Sequence, residues 1–438
     1  MISRIKAFFH FQEFQTDLQT ECLAGLSTFL SMAYIFVVNP AILGEGGINR
    51  SAALFATVLV SATATIVMGL WAKKPFALAP GLEINGYVVY ALIIGMGISW
   101  QASLGAVFWS GILFLVLTIT NVRQKIIEAI PNSLKTGLAA SVGVFLIIIA
   151  LRLSDILVYD KTNLSDFGNP IGYKGLILFT GLAIAVGLRF YRSRYFILIS
   201  IVICSLLSHW LISGPASGST VAVGQQMFSA AGRLDISAIT DLKLIGPMIT
   251  LFVLDFYGSI AKFIGLTKNT SIMKNGVFPN MKEALLIDGA ATTAGACLGT
   301  TSIVAFVESG VGIGAGGRTG LTAVVCGFLM LLFIPLAPIV NFVPVIATTG
   351  ALLWVGLEVM PKRAELRQLP PIELTSVLVM ILITAFTFAL DKAMLAGFGV
   401  YVVGMLLNGK RKSVSVYLII SVIIILTSTL LSFHYGKP

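Results

Sequence analysis

The stretch GTTSIVAFVESGVGIGAGGRTG, residues 299–320, decides how the chain is read. It is apolar enough to lie at membrane depth, yet it carries Glu308 and the glycines Gly310, Gly312, Gly314, Gly316 and Gly317. Its first part, residues 301–307, is rich in β-branched residues and predicts a short extended piece; from Glu308 onward it predicts a Gly-rich half-helix. Non-helical backbone at that depth is tolerated only where protein or a water-filled cavity covers its polar groups. A carboxylate there marks a functional site. An earlier stretch has the same build: FALAPGLEING, residues 76–86, is an extended piece closed by Pro80-Gly81, then Glu83 and a second short helix. Two broken segments in corresponding positions of two halves point to a transporter's binding site.

The rest of the composition agrees with membrane depth. Of 438 residues, 57% are hydrophobic and 11% charged, with a mean hydropathy of +0.96, whereas soluble domains are ~25% charged. The chain therefore reads as an all-α polytopic membrane protein. Its net charge of +10 sits in short connections between apolar runs, the pattern of cytoplasmic loops. That excludes nucleic acid as the reason for the charge and puts the N-terminus in the cytoplasm. Lys73, Lys74, Arg123, Lys125, Lys135, Arg189, Arg192, Arg194, Lys268, Lys274, Arg318 and Lys362 all fall inside on this count. Phe8, Phe9, Phe11 and Phe14 predict an interfacial helix before the first span. The cysteines Cys22, Cys204, Cys297 and Cys326 are widely spaced and lie in or beside apolar segments, so neither a disulfide framework nor a metal site follows. His10, His209 and His434 show no metal spacing, and no cofactor is expected.

Fifteen apolar stretches lie between residues 23 and 432, where two equal halves of seven need fourteen. The expectation is about 14 transmembrane segments, with residues 371–388 a partial or peripheral helix and Asp391 and Lys392 at an interfacial break. The broken segments are third and tenth, hence third in each half. An odd number of spans per repeat inverts the second repeat relative to the first.

Candidate chemistry clusters near these breaks. In LIGPMITLFVLDFYGSIAKFIG, residues 244–265, Asp255, Ser259 and Lys262 are spaced to share one helix face, with about 10 Å between Asp255 and Lys262 along the axis. Such charges must face protein or a cavity; a structural ion pair that locks helices is the bland alternative. Glu308 and Glu83 each begin a short helix, whose N-terminus carries partial positive charge. A carboxylate accepts from a ring N–H when ionised and donates when protonated, so Glu308 suits a heterocycle or a coupling proton. Against this, Glu308 can merely cap its own half-helix, and Glu83 can merely pair with Lys262. Asp288, among small residues in LLIDGAATTAG, fits a supporting place where helices pack closely. Asn85 can supply amide hydrogen bonds beside Glu83. Phe306, Tyr87 and Tyr90 can stack on a flat ring, although aromatics in spans more often pack. Arg318, in GGRTG, has no nucleotide-binding context and reads as a topology anchor. No nucleophile–base pairing is recognisable, so an enzyme is not expected. A channel is disfavoured because the intramembrane charges gather at one depth.

These stretches, with TECLAGLSTFLSMAYIFVVNPAIL (residues 20–43) and APGLEINGYVVY (79–90), resemble the AzgA-like adenine/guanine/hypoxanthine permeases of the nucleobase–ascorbate transporter superfamily, along essentially the whole chain. The resemblance implies fourteen spans in two inverted seven-span repeats, spans 3 and 10 being short strand plus half-helix. It implies a core domain (residues 1–121 and 244–338) and a gate domain (122–213 and 339–438). It also implies proton-coupled purine uptake across a bacterial inner membrane by alternating access. The family's substrate-binding carboxylates match Asp255 and Glu308, and its span-three asparagine matches Asn85. With Glu83, Phe306 and Ser309 these make the expected substrate set; Asp255, Lys262, Glu83, Glu308 and Asp288 make the expected charge network. The expected partners are a nucleobase, the coupling proton and the lipid bilayer, with a homodimer left open. The chain departs from the family pattern where Glu83 replaces a glycine, Gly258 an aspartate and Lys262 a threonine. An anion transporter or exchanger of the same architecture, with Lys262 as counter-charge, is the alternative reading.

Overall fold

The structure, a computed structural model, describes residues 2–120, 131–160, 163–191, 196–211, 226–267, 270–274, 278–335, 343–387, 390–410 and 414–435. Arg123, Lys125, Arg192, Arg194 and Lys268 of the loop-charge pattern lie outside these residues, as does the side chain of Asp391. Among the described residues, 7 helices are long and apolar enough to cross a bilayer, and shorter apolar helices lie between them. The fold is helical and polytopic.

The first crossing is two helices, α1 (Leu18–Met32) and α2 (Ile35–Glu45), broken at Ala33-Tyr34. The Asp17 carboxylate starts α1 by accepting from the Thr20 N–H at 2.8 Å, one of the donors a helix start leaves unpaired. Helix α3 (Arg50–Val67) is capped by Asn49 and continues as a wider-wound turn over Met68–Ala72. Strand β1 (Leu78–Pro80) leads to α4 (Leu82–Gly86), which continues as a wide turn over Tyr87–Gly95. Then come α5 (Trp100–Ile119), α6 (Asn132–Leu153), the hairpin β2 (Leu157–Asp160) and β3 (Asn163–Phe167), α7 (Tyr173–Phe190) and α8 (Phe196–Leu211). The second half runs through α9 (Leu242–Thr267), α10 (Met281–Leu298), β4 (Ile303–Ala305), α11 (Ser309–Gly314) and α12 (Gly320–Leu331). It closes with α13 (Thr349–Val359), α14 (Pro371–Thr387), α15 (Leu390–Leu407) and α16 (Val416–Tyr435).

Helix α14 is continuous over 17 residues. It buries Ser376, Val377, Met380 and Thr384 and packs on both α6 and α15, which sets it inside the helix bundle, and it is among the shorter apolar helices. Helix α16 packs on α9 as well as on α15.

At the centre, β1 pairs antiparallel with β4, Leu78 opposite Ala305 and Pro80 opposite Ile303. The ladder is extended by Gly81 N–H to the Ser302 carbonyl at 3.1 Å and Phe306 N–H to the Ala77 carbonyl at 3.0 Å. The Leu78 N–H is taken by Thr65 Oγ1 at 2.9 Å, and the Ala77 N–H by Ser309 Oγ at 3.0 Å. Each strand is three residues long, and its backbone is satisfied by protein, as the interior of a membrane requires. Half-helix α11 lies so close to α1 that a Cβ on Gly312 would stand 2.1 Å from Thr28 Oγ1. Gly316, at φ +106°, turns the chain out of α11, a conformation only glycine adopts without strain.

Candidate functional site

Glu308 immediately precedes α11, but its carboxylate makes no cap hydrogen bond to that helix. It accepts instead from the Tyr34 hydroxyl at 2.6 Å, across the break between α1 and α2. Among the described residues its second oxygen, Oε2, is buried without a partner. The ends of α11 are managed elsewhere: Arg318 Nη1 donates to the carbonyls of Ile313 and, at 2.9 Å, Gly317. A guanidinium on the last carbonyls of a helix is favourable both as donor and as charge, so Arg318 does more than mark topology.

Glu83, at the start of α4, is 3.2 Å from Lys262 Nζ on α9. Both side chains border two adjoining chambers, which share Glu83, Val142, Lys262, Val307 and Val359. The smaller, about 80 Å³, is lined by Tyr34, Leu82, Glu83, Lys262, Phe306, Val307 and Glu308 on one side and Val142, Leu146, Val355 and Val359 on the other. The larger, about 260 Å³, continues from Glu83 and Lys262 past Gly258, Gly265 and Leu266 to Lys135. A Cβ on Gly258 would meet nothing within 4 Å, so the missing side chain there leaves open volume. The Phe306 and Tyr34 rings lie 6.2 Å apart and tilted by 43°, the aromatic end of the small chamber. The polar wall thus comes from α1–α2, α4, α9 and the β4–α11 link, and the aliphatic wall from α6 and α13.

The remaining expected residues stand behind this wall. Asp255 accepts from Thr292 Oγ1 of α10 at 2.9 Å, and Ser259 Oγ accepts the Ala305 N–H of β4 at 3.4 Å. The shared face of α9 straddles a seam: its Gly258–Lys262 edge borders the cavity, its Asp255–Ser259 edge meets α10 and β4. Asp288 is fully buried on α10 beside Ser259. Asn85 spends both ends of its amide on protein, donating to Asn39 Oδ1 and accepting from Thr301 Oγ1. Asn39 in turn donates to Thr57 Oγ1 at 2.6 Å and to Thr300 Oγ1 at 3.1 Å, which ties α2, α3, α4 and the approach to β4 together. Ser309 holds β1 through the Ala77 N–H, as above. Of the expected substrate set, Glu308, Glu83 and Phe306 therefore line the chamber, while Asp255, Asn85 and Ser309 hold the elements that carry them.

The sequence reading missed Tyr34; a tyrosine six residues before Pro40, in an otherwise apolar run, is the signal that could have found it. Val142, Leu146, Val355 and Val359 carry no such signal. On the far side of the seam a third cavity, about 390 Å³, is bordered by Glu45, Tyr90, Arg152, Asp155 and Lys174 among others. There the Arg152 guanidinium sits 4.8 Å from the Tyr90 ring centroid, joining α6 to the turn after α4. Tyr90 therefore faces this cavity and not the small chamber.

Comparison with known proteins gives the family. The profile of the permease family Xan_ur_permease matches residues 19–361. The chain is 33% identical over 421 residues to the adenine permease AdeP of Escherichia coli, covering 96% of this chain and 94% of AdeP. It is also 33% identical over 439 residues to the guanine/hypoxanthine permease PbuO of Bacillus subtilis, covering 95% and 98% of the two chains. The transmembrane domain of a cyanobacterial bicarbonate transporter, BicA, superposes with a TM-score of 0.63 at 15% identity, over 89% of this chain and 98% of that one; at that identity the likeness speaks for the fold alone. The chain belongs to the permease family, in the AzgA-like branch of the nucleobase–ascorbate transporters, and is a multi-pass membrane transporter and not an enzyme.

Proposed function

We propose that the protein imports a purine nucleobase together with a proton, by alternating access, across the inner membrane with its N-terminus in the cytoplasm. The carrying observation is the small chamber, where Tyr34, Glu83, Lys262, Phe306 and Glu308 meet opposite the aliphatic wall of α6 and α13. With its larger neighbour it exceeds the ~300 Å³ lower bound of small-molecule sites, and its ring-flanked carboxylate suits a flat, N–H-bearing base. The likeness to AdeP, an adenine permease, and PbuO, a guanine/hypoxanthine permease, supports the same cargo class. In this reading Glu308 binds the base and carries the proton, Tyr34 orients Glu308, and Phe306 stacks. Asp255, Asn85, Ser309 and Asp288 hold the strands and half-helices in place.

The antiparallel pairing of β1 with β4, each leading into a short helix, supports two inverted repeats of seven spans. The two walls of the cavity support a core of spans 1–4 and 8–11 facing a gate of spans 5–7 and 12–14, with α16 reaching across to α9. Lys262 favours an anion as cargo on its own, but Glu83 already neutralises it at 3.2 Å and Glu308 adds a second acid to the same wall. The anion-exchanger reading is therefore the weaker.

Uptake of labelled purine into proteoliposomes tests the function. Accumulation driven by an imposed pH gradient and abolished by a protonophore is expected. Equal equilibration with and without the gradient contradicts proton coupling.

A further inference from the structure

We propose that Lys262, set against Glu308, selects purines with an oxygen at ring position 6 over those with an amino group there; this rests on the nucleobase reading above. The Lys262 ammonium has three N–H donors, and among the described residues the hydrogen bond it makes is the one to Glu83 Oε1. Its side chain and that of Glu83 remain 18% and 14% exposed, toward the chambers. Glu308 presents the complementary group, since Oε1 is held by Tyr34 and Oε2 is buried and unpartnered among the described residues. The chamber thus offers one strong donor and one strong acceptor, and the other lining side chains apart from Tyr34 and Glu83 are apolar.

A 6-oxopurine carries an acceptor, the ring oxygen, next to a donor, N1–H. Adenine carries the reverse order, an exocyclic amino donor next to an N1 acceptor. A ring turned over can in principle satisfy either order, so shape has to break the tie. The chamber is asymmetric in the required sense. Glu308 borders the chamber of about 80 Å³, together with Tyr34, Phe306, Leu146 and Val355, whereas Lys262 also borders the cavity of about 260 Å³. In every purine the five-membered ring lies on the side of the position-6 substituent, away from N1. An oxopurine that gives its oxygen to Lys262 and N1–H to Glu308 therefore points its five-membered ring into the open cavity. Adenine, to match the same two groups, must give its amino group to Glu308 and push that ring into the smaller chamber. In the orientation that fits, its amino group meets the ammonium, donor against donor, and a buried polar group left unpaired is what gives a site discrimination.

Hypoxanthine and adenine differ only along this edge, and their dissociation constants for the purified protein in lipid nanodiscs provide the test. Hypoxanthine is expected to bind at least ~10-fold more tightly than adenine, as one mismatched polar contact implies. Lys262→Met should cut that ratio to within ~3-fold, through weaker hypoxanthine binding. Because Lys262→Met alone strands the Glu83 charge, the double variant Glu83→Gln/Lys262→Met repeats the measurement in a neutral wall and should give the same collapse. Equal or tighter adenine binding by the unaltered protein overturns the inference while leaving the nucleobase reading intact; so does a preference that survives in both variants. Binding of neither base overturns both.

Discussion

Glu308 is the residue on which the proposed chemistry turns, because one carboxylate oxygen is pinned by Tyr34 at 2.6 Å and the proposal leaves the other for a ligand or a proton. Glu308→Gln keeps the shape and the Tyr34 contact but cannot ionise. In proteoliposomes it should abolish gradient-driven accumulation of purine, and accumulation at the unaltered level would remove Glu308 from the coupling step. Tyr34→Phe removes a hydrogen bond to a charged group, worth ~1.5–3 kcal/mol when buried, so purine binding should weaken by ~10-fold or more; a titration of the purified variant reads this directly. At this scale much was legible. Glu308, Glu83, Lys262 and Phe306 stood out because ionisable or aromatic groups beside broken helices are costly unless used. Asn85 and Ser309 are also expected at the substrate, yet the structure spends Asn85 on the Asn39 and Thr301 side chains and Ser309 on the Ala77 N–H. Type and depth tell that a polar group needs a partner, not which partner it has.

The two half-helices are the elements that make the site, and they are held by contacts that leave no slack. A methyl group on Gly312 would overlap Thr28 Oγ1 and the Ala24 carbonyl, at 2.1 and 2.7 Å. Gly312→Ala should therefore displace α11, lowering transport severely while the protein still inserts; normal uptake would show that α11 tolerates a shift. The start of α12 depends on Glu21, fully buried on α1, whose carboxylate accepts from Arg318 N–H at 3.0 Å, Thr319 N–H at 3.2 Å and Thr322 Oγ1 at 2.5 Å. Glu21→Ala leaves those donors unpaired in the interior, a loss of roughly 1–3 kcal/mol, and should lower the melting temperature of the purified protein by several degrees. No change would show that water replaces the carboxylate. The broken segments were legible in advance because Gly and Pro clustered inside apolar runs interrupt a helix, and at membrane depth an interrupted helix must be covered by protein or a cavity. Glu21 was not, since a lone acid near a helix start has many uses. Nor were the β2–β3 hairpin and the tight packing of α14, because pairing between distant elements leaves no periodicity in either.

Across the whole molecule, backbones approach most closely within two groups of helices. Gly143 of α6 meets the Gly356 carbonyl of α13, and Gly181 of α7 meets the Gly350 backbone. In the other group Gly69 meets the Gly320 backbone, and Gly111 of α5 meets Thr293 of α10. Between the groups, side chains meet: Phe145 and Ile149 on Gly86, and Arg152 on Tyr90. Small residues that let backbones touch make rigid units in membranes, whereas a side-chain seam can open. The Arg152–Tyr90 contact closes the seam on the side opposite Lys135, so Arg152→Ala should favour opening there. A cysteine placed at Leu146 should then react faster with an impermeant thiol reagent applied from the Arg152 side, and unchanged labelling would exclude the latch.

Transport of a purine through this chamber requires that the purine bind against Glu308. A ligand that binds only the folded state raises its stability by ~2.7 kcal/mol at a hundred times its dissociation constant, so melting curves of the purified protein across a nucleobase panel are decisive. At least one purine should raise the melting temperature with concentration, and Glu308→Gln should lose most of that rise. A folded protein that no purine stabilises, or a rise undiminished in Glu308→Gln, would contradict the assignment of this chamber.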